Sequence, residues 1–257
     1  MAHPPRLALD SAAPGTVDGR HIRAVTFQAV RLRYVADTLA ALTPPAPGIR
    51  TLVVGSGRGL LARGLAGLGL RVTAVDPSGA ATALAREADR AAGADLAHAT
   101  ASPERLPFGD GEFDLVYGAD TFEITPHLDR VVREAARVLA PGGLLLYDTV
   151  NRTWVSRLIY LGAFQRFPAT RIMPPGRYAA ERLRPPAELA EALGRHGLRG
   201  EDVCAFTPRS VRGLVTATLA RRRGRITDEE IPPLVDMVLT PGGPPVVTYL
   251  GYARAVG

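Results

Sequence analysis

The sequence predicts an α/β fold built on a doubly wound, mostly parallel sheet of seven strands. Three observations carry this expectation. Short apolar runs alternate with helical patterns from Arg50 to Asp148, a glycine-rich loop follows the first run, and an acid closes the second. Strands and helices alternating at this spacing form one parallel sheet, and right-handed crossovers gather the loop tips along its carboxyl edge, where ligands bind.

The elements follow in order. Residues 1–15 are rich in Pro and Ala without periodicity and are expected to be flexible, leaving 16–257 as a single domain. From Thr16 to Leu42 the pattern is helical, with Ile22, Val25, Val30, Leu32, Val35 and Leu39 on an apolar side, and Thr43 to Gly48 reads as a linker. The first strand is Arg50 to Val54, followed by a helix over Leu60 to Leu68. The second strand, Arg71 to Val75, leads to a helix over Gly79 to Ala92, and a third strand is expected near Ala94 to Ala97. Phe113 to Tyr117 makes the fourth strand, Leu128 to Leu139 a helix stopped by Ala140-Pro-Gly-Gly143, and Leu144 to Asp148 the fifth strand. Residues 151–186 break the alternation by mixing Trp154, Tyr160, Phe164 and Phe167 with several arginines; following the fifth strand, they are expected to fold over the ligand edge as a lid or substrate insert. A helix over Pro186 to Gly197 and strands near Arg199–Phe206 and Val246–Arg254 complete the count, with Thr227-Asp-Glu-Glu230 between them as a capping box for a further helix.

Composition narrows the function. The chain has 257 residues, 46% of them hydrophobic, enough for one full core. No apolar run approaches the ~20 residues of a membrane span, and the start shows no basic-then-apolar signal, so a cytoplasmic enzyme is expected. The one cysteine, Cys204, excludes an internal disulfide framework, and no His or carboxylate set has ligand spacing, so no metal is expected. The net charge of +6 comes entirely from arginine, a bias that fits a GC-rich genome better than a nucleic-acid surface. Only Arg221-Arg222-Arg223-Gly-Arg225 is clustered, and no aromatic residue is interleaved to stack bases, so no nucleic-acid partner is expected.

The loop Gly55-Ser-Gly-Arg-Gly59 repeats glycine at every second position, and Leu60 stands where a dinucleotide loop carries its third glycine. Such a loop brings backbone close to a ligand without a clear pyrophosphate cradle, and Asp76 at the end of the next strand can accept from a ribose diol. The combination points to S-adenosylmethionine.

The assembled sequence resembles the class I S-adenosylmethionine-dependent methyltransferases, which have a Rossmann-like fold, and among them the ubiquinone-biosynthesis O-methyltransferase family. The resemblance spans roughly residues 16 to 254. Ala140-Pro-Gly-Gly143 is similar to the family's LKPGG turn and Leu106-Pro-Phe-Gly-Asp-Gly-Glu-Phe-Asp114 to its LPFxDxSFD run. Thr149-Val-Asn-Arg152 resembles TxNR, and Val30-Arg-Leu-Arg-Tyr-Val35 the xLRLxYI stretch of the first helix. The resemblance implies that Arg31 binds the cofactor carboxylate, that Gly55, Ser56, Gly57 and Gly59 line the methionine and adenosine, and that Asp76, with Pro77 beside it, holds the ribose. Ser102, Pro103 and Glu104 would edge the adenine, and Ala119 and Asp120 would lie beside the methyl. It also implies a weak peripheral contact with anionic lipid through 156–184. The sequence departs from the family where Val53 replaces an acid, Ser102 replaces another, and Phe122-Glu-Ile-Thr125 replaces LEHV, so that Ile124 stands in for a histidine.

The expected reaction is transfer of methyl to a small, largely apolar aromatic acceptor, with O-methylation of a phenol or catechol in natural-product or quinone biosynthesis favoured and S-adenosylhomocysteine as product. C- or N-methylation of a heteroaromatic such as an indole is the alternative within the class, and a non-catalytic binding protein is the alternative outside it. A base is needed only when the acceptor must lose a proton. The candidates are Glu123, which also reads as a helix cap, His127, which also reads as a first-turn surface residue, and Tyr34, which also reads as core. The sequence does not decide the oligomeric state, and a homodimer is compatible with it.

Overall fold

The computed structural model describes residues 5–42 and 48–256. Part of the expected flexible N-terminus, 1–4, and most of the expected linker, 43–47, lie outside the described residues. Two short strands, β1 (Arg6–Leu7) and β2 (Thr16–Val17), pair in parallel ahead of α1 (Gly19–Leu42). Then come β3 (Arg50–Val54), α2 (Leu60–Gly67), β4 (Arg71–Asp76), α3 (Gly79–Ala92) and β5 (Ala97–Thr100). They are followed by β6 (Phe113–Gly118), α4 (Leu128–Val138) and β7 (Leu139–Val150). The insert holds α5 (Trp154–Ser156), a π-helical turn at Arg157–Ala163 and a 3₁₀ turn at Ala180–Arg182. The chain closes with α6 (Pro186–Arg195), β8 (Leu198–Pro208), α7 (Val211–Arg222), α8 (Pro232–Val235), β9 (Met237–Thr240) and β10 (Thr248–Ala255).

The main sheet runs β5-β4-β3-β6-β7-β10-β8-β9, parallel through β7 and antiparallel beyond it. Strand order reverses between β3 and β6, and at that switch point the two following loops separate and leave a crevice. Alternation along the strands decides which helix covers which face. Val53, Val72 and Leu146 pack with Leu61 and Leu65 of α2 and Phe27 of α1, whereas Leu52, Val54 and Leu145 pack with Val132 of α4 and Leu189 of α6. A third cluster, built from Ile22, Val150, Tyr160, Met173, Leu183 and Ile231, ties the insert to the start of α1 and the segment after α7.

The sheet has eight strands rather than seven, because β9 adds a short edge strand beside β8. β5 begins at Ala97, where the expected third strand was to end, since Gly93 closes α3 and residues 94–96 make the turn. The Pro141–Gly143 turn does not separate α4 from a later strand. β7 already pairs at Leu139 with Phe113, bulges through 140–143 with Gly142 at φ +76°, and resumes at Leu144 opposite Leu115. The capping box at Thr227 exists in part, with Glu230 accepting from the Thr227 amide, but the helix after it has four residues. α7 carries no amphipathic signal in the sequence, because its apolar residues form no stripe and only Ala217 and Thr218 are buried. Arg221 and Arg222 at the end of α7 donate to the Thr16 and Pro5 carbonyls, so these two residues of the basic run are turned to the chain itself.

Candidate functional site

After β3 the backbone turns through three left-handed glycines. Gly55 (φ +78°) needs its freedom for space as well, because a Cβ there would strike the Ala119 carbonyl and the Thr121 hydroxyl across the switch point. The Gly57 amide (φ +55°) donates to Asp76 Oδ2 at 2.8 Å, and Gly59 (φ +73°) starts α2. Asp76 is fully buried. Its Oδ1 accepts from the Ser78 amide at 2.9 Å, and Oδ2 also accepts from Arg20 Nη2 at 2.6 Å. Arg20 reaches on to Asp10 at 2.7 Å, while Arg58 of the glycine loop holds Asp18 at 2.8 Å and the Ser11 carbonyl at 2.6 Å. Residues 10–18 therefore strap over the loop.

The cleft beneath this strap has a volume of only ≈20 Å³ and is bordered by Asp18, Arg20, Gly57, Ala119 and Asp120 together with His21, Arg31 and Arg58. The last three each carry a buried nitrogen without a hydrogen-bond partner: His21 Nδ1, Arg31 Nε and Arg58 Nε. Buried polar groups are nearly always satisfied in folded proteins, so two guanidinium donors and an imidazole nitrogen left over around one cleft are groups that a ligand there could meet.

Beside it lies a buried ion cluster. Arg23 and Arg31 are two turns apart on one stripe of α1, stacked on the ring of Phe27 at 4.8 and 5.5 Å. Both grip Asp120, Arg23 through Nε at 2.6 Å and Arg31 through Nη2 at 2.8 Å. Asp120 is held at φ +46°, a conformation costly for a non-glycine residue and sustained here by the two arginines. Arg23 also donates to Glu123 at 2.8 Å and to the Tyr160 hydroxyl at 2.6 Å; Arg31 also donates to Asp148 at 2.7 Å. Burial alone would raise the Asp120 carboxyl, but the two guanidiniums hold it well below the usual carboxylate range. Glu123 goes the other way, pushed up to about 7 by burial against Arg23's pull, with Asp120 and Asp148 adding like charge.

On the far side of Arg23 opens a cavity of ≈430 Å³, almost wholly apolar, walled by Phe27, Tyr160, Phe164, Phe206, Leu214 and Met237. The polar cleft and the apolar cavity are thus neighbours across the Arg23–Asp120 pair.

The structure gathers Arg31, Gly55, Ser56, Gly57, Ala119 and Asp120 on the cleft, with Asp76 and Gly59 immediately behind. Pro77 and Ser102 are exposed on the loops after β4 and β5, Pro103 packs inward beside Val54, and Glu104 accepts from Thr125 at 3.3 Å. Glu123 joins the ion cluster. Tyr34 and His127 do not: the Tyr34 hydroxyl donates to Asp202 at 2.7 Å among core residues, and His127 is exposed at the start of α4. Trp154 and Phe167, expected to help enclose a ligand, point outward at 75% and 62% exposure, whereas Tyr160 and Phe164 do line the cavity. Arg23, Arg20 and Asp148 were missed. The i, i+4, i+8 spacing of Arg23, Phe27 and Arg31 is the signal in the sequence that connects Arg23 with Arg31.

A family model described as a methyltransferase domain matches residues 52–147, from β3 into β7. Among curated proteins, the ubiquinone biosynthesis O-methyltransferase of Xanthomonas axonopodis pv. citri is 36% identical over 176 residues, covering 68% of this chain and 70% of that one. The protein of the same name from Rhizobium etli is 30% identical over 183 residues, covering 68% and 73%. Among solved structures, a SAM-dependent methyltransferase from Aquifex aeolicus superposes with a TM-score of 0.56 at 17% identity, covering 91% of this chain and 93% of that one. The [4+2]-cyclase SpnF superposes with a TM-score of 0.58 at 22% identity, covering 100% and 88%; these two likenesses speak for the fold alone. The chain belongs to the S-adenosylmethionine-dependent methyltransferases, in the family of the ubiquinone-biosynthesis O-methyltransferases.

Proposed function

We propose that this enzyme methylates a hydroxyl of a small, largely apolar aromatic acceptor, a phenol or catechol, in quinone or natural-product biosynthesis. The observation that carries the reading is the apolar cavity of ≈430 Å³ lying one ion pair away from the polar cleft. Cavities of this size and character hold single aromatic molecules.

The residues present fit the cofactor. Arg31 Nε is a buried donor in need of an acceptor, which the methionine carboxylate supplies, and beside Gly57 the nearest atom to a Cβ would be Arg20 Nη2 at 3.9 Å. Gly55, Ser56, Gly57 and Gly59 would receive the methionine and adenosine, Asp76 and Pro77 the ribose, Ser102, Pro103 and Glu104 the adenine, and Ala119 and Asp120 the methyl end. Because Arg20 fills Asp76 Oδ2, a ribose diol must displace it, and the strap over residues 10–18 must yield with it. The cofactor supplies an electrophilic methyl on a sulfonium. The chain supplies position and dryness: the cavity excludes water around the acceptor ring, and the Tyr160 hydroxyl, anchored by Arg23, holds the acceptor hydroxyl. Glu123, fully buried behind them and braced by Thr149 at 3.1 Å, is the final holder of the acceptor's proton. Residues 156–184 with neighbouring Trp154 also support weak peripheral binding to anionic lipid, since Trp154, Leu158 and Phe167 are exposed among arginines; unchanged vesicle co-sedimentation after Trp154→Ala and Phe167→Ala would remove that reading.

The deciding experiment incubates the protein with S-adenosylmethionine and matched sets of phenols, catechols and indoles, then locates the new methyl by mass spectrometry and NMR. O-methyl products are expected. Methyl on carbon or nitrogen only would favour the heteroaromatic alternative, and cofactor binding without any product would favour a non-catalytic binding protein.

A further inference from the structure

The ion cluster does not balance. Asp120, Glu123 and Asp148 supply three carboxylates, Arg23 and Arg31 two guanidiniums; Asp120 reaches the cleft surface and the other four are buried. Among the described residues no third cation closes the count. Arg184, which also interacts with Glu123, spends its donors on the carbonyls of Phe122 and Thr125 at 2.8 Å each. Arg20 also faces Asp120 but is spent on Asp10 and Asp76, and the other groups facing the cluster are hydroxyls. Tyr117 donates to Asp148 at 3.1 Å, Thr149 donates to Glu123, and Tyr160, Tyr178 and Tyr249 stand around Glu123. A buried carboxylate left over after pairing must take a proton or meet a cation. Burial accordingly pushes both groups up, Glu123 to about 7 and Asp148 to about 6, and the proton belongs to the pair rather than to either residue.

We propose that the surplus carboxylate makes the site a discriminator of cofactor charge, binding the sulfonium form in exchange for the cluster's proton and losing that preference toward the neutral thioether. The inference rests on the methyl-transfer reading, which sets the methyl end against Asp120. S-adenosylmethionine and S-adenosylhomocysteine share adenosine and amino acid, so their common contacts cancel, and any difference in the pH dependence of binding reports the methyl and its charge. Below about pH 7 the cluster holds its proton and must give it up before a sulfonium is matched; above that it is already ionised and waiting. The same surplus serves turnover. As the acceptor O–H bond breaks and the O–CH₃ bond forms, the S–CH₃ pair returns to sulfur, the positive charge disappears, and the released proton goes to the Glu123–Asp148 pair. Product then sits beside a site that no longer favours it.

The test is calorimetric titration of the full chain with each cofactor form at pH 6, 7 and 8, in two buffers of different ionisation enthalpy. S-adenosylmethionine should release more protons than S-adenosylhomocysteine near pH 7. Its affinity relative to the thioether should rise about fivefold to tenfold from pH 6 to 8, the change that follows if the sulfonium lowers the pair's affinity for its proton by about one unit. Glu123→Gln should flatten that rise. Parallel pH dependence and equal proton release for the two ligands would overturn the inference while leaving the methyl-transfer reading standing; failure of either ligand to bind would overturn both. The wild-type comparison decides even where the variant does not fold.

Discussion

The two hollows on either side of Arg23 and Asp120 differ in a way that explains each. The polar cleft is nearly closed, at ≈20 Å³, because the charged groups that would grip a ligand find one another: Arg20 takes Asp76, and Arg58 takes Asp18. The apolar cavity stays open at ≈430 Å³ because Phe27, Phe206 and Leu214 have no directional partners to reach for, and the sheet and α7 hold its walls apart. Selectivity in the first is therefore a matter of exchange, one ion pair or hydrogen bond for another. In the second it is a matter of shape.

The partition itself is the most vulnerable element. Asp120→Ala removes the carboxylate that both guanidiniums share, leaving Glu123 and Asp148 as their counter-charges, and should cost roughly 1.5–3 kcal/mol in lost hydrogen bonding, read by urea denaturation, with loss of cofactor binding. A variant as stable as the parent would mean that the two hollows do not depend on this pair.

The acid behind the partition should set how stability varies with pH. Glu123 and Asp148 are raised, so the folded chain binds more protons than the unfolded chain between the ordinary carboxylate range and about pH 7. Stability contributed by these groups is thus fully present at low pH and lost as pH rises through 6 to 7. Glu123→Gln should then gain roughly 2 kcal/mol relative to the parent at pH 8 and little at pH 5, measured by thermal unfolding in matched buffers. A parallel loss in both proteins would place the titration elsewhere.

Shape in the apolar cavity is tested by Leu214→Trp. Filling the cavity should raise the acceptor KM at least roughly tenfold while leaving the S-adenosylhomocysteine Kd within about twofold. If both constants move together, the hollows are not separable.

Exchange in the polar cleft is tested by Arg20→Ala. Freeing Asp76 should tighten S-adenosylhomocysteine by about fivefold, because the binding-competent fraction rises. Weaker binding would show instead that Arg20 is itself a cofactor ligand.

The same contrast governs what could be read from the sequence. Gly55, Gly57, Gly59 and Asp76 lie within a short stretch, and each owes its identity to a local demand: a left-handed turn, or a carboxylate at a strand end. Arg23 meets Asp120 and Tyr160 across 97 and 137 residues, so no local pattern announces it. Tyr34 is the converse case. Its position in the first helix suggested the site, and eleven residues beyond Arg23 return it to nearly the same face, but about 16 Å farther along the axis, where its hydroxyl meets Asp202 among core residues instead of the ion cluster. Trp154 and Phe167 show that an apolar, basic segment states its composition without stating which side chains turn inward.

By itself the sequence determined the parallel sheet through β7, the glycine turn and the acid that closes the second strand, since hydrophobic alternation and the steric freedom of glycine act between near neighbours. Only the tertiary structure decided that three carboxylates and two arginines would cluster, that Arg20 would lie on Asp76, and that an apolar cavity would open one ion pair away. Those outcomes depend on which distant elements meet and on the high cost of burying unmatched charge, which appears only once the chain has closed around it.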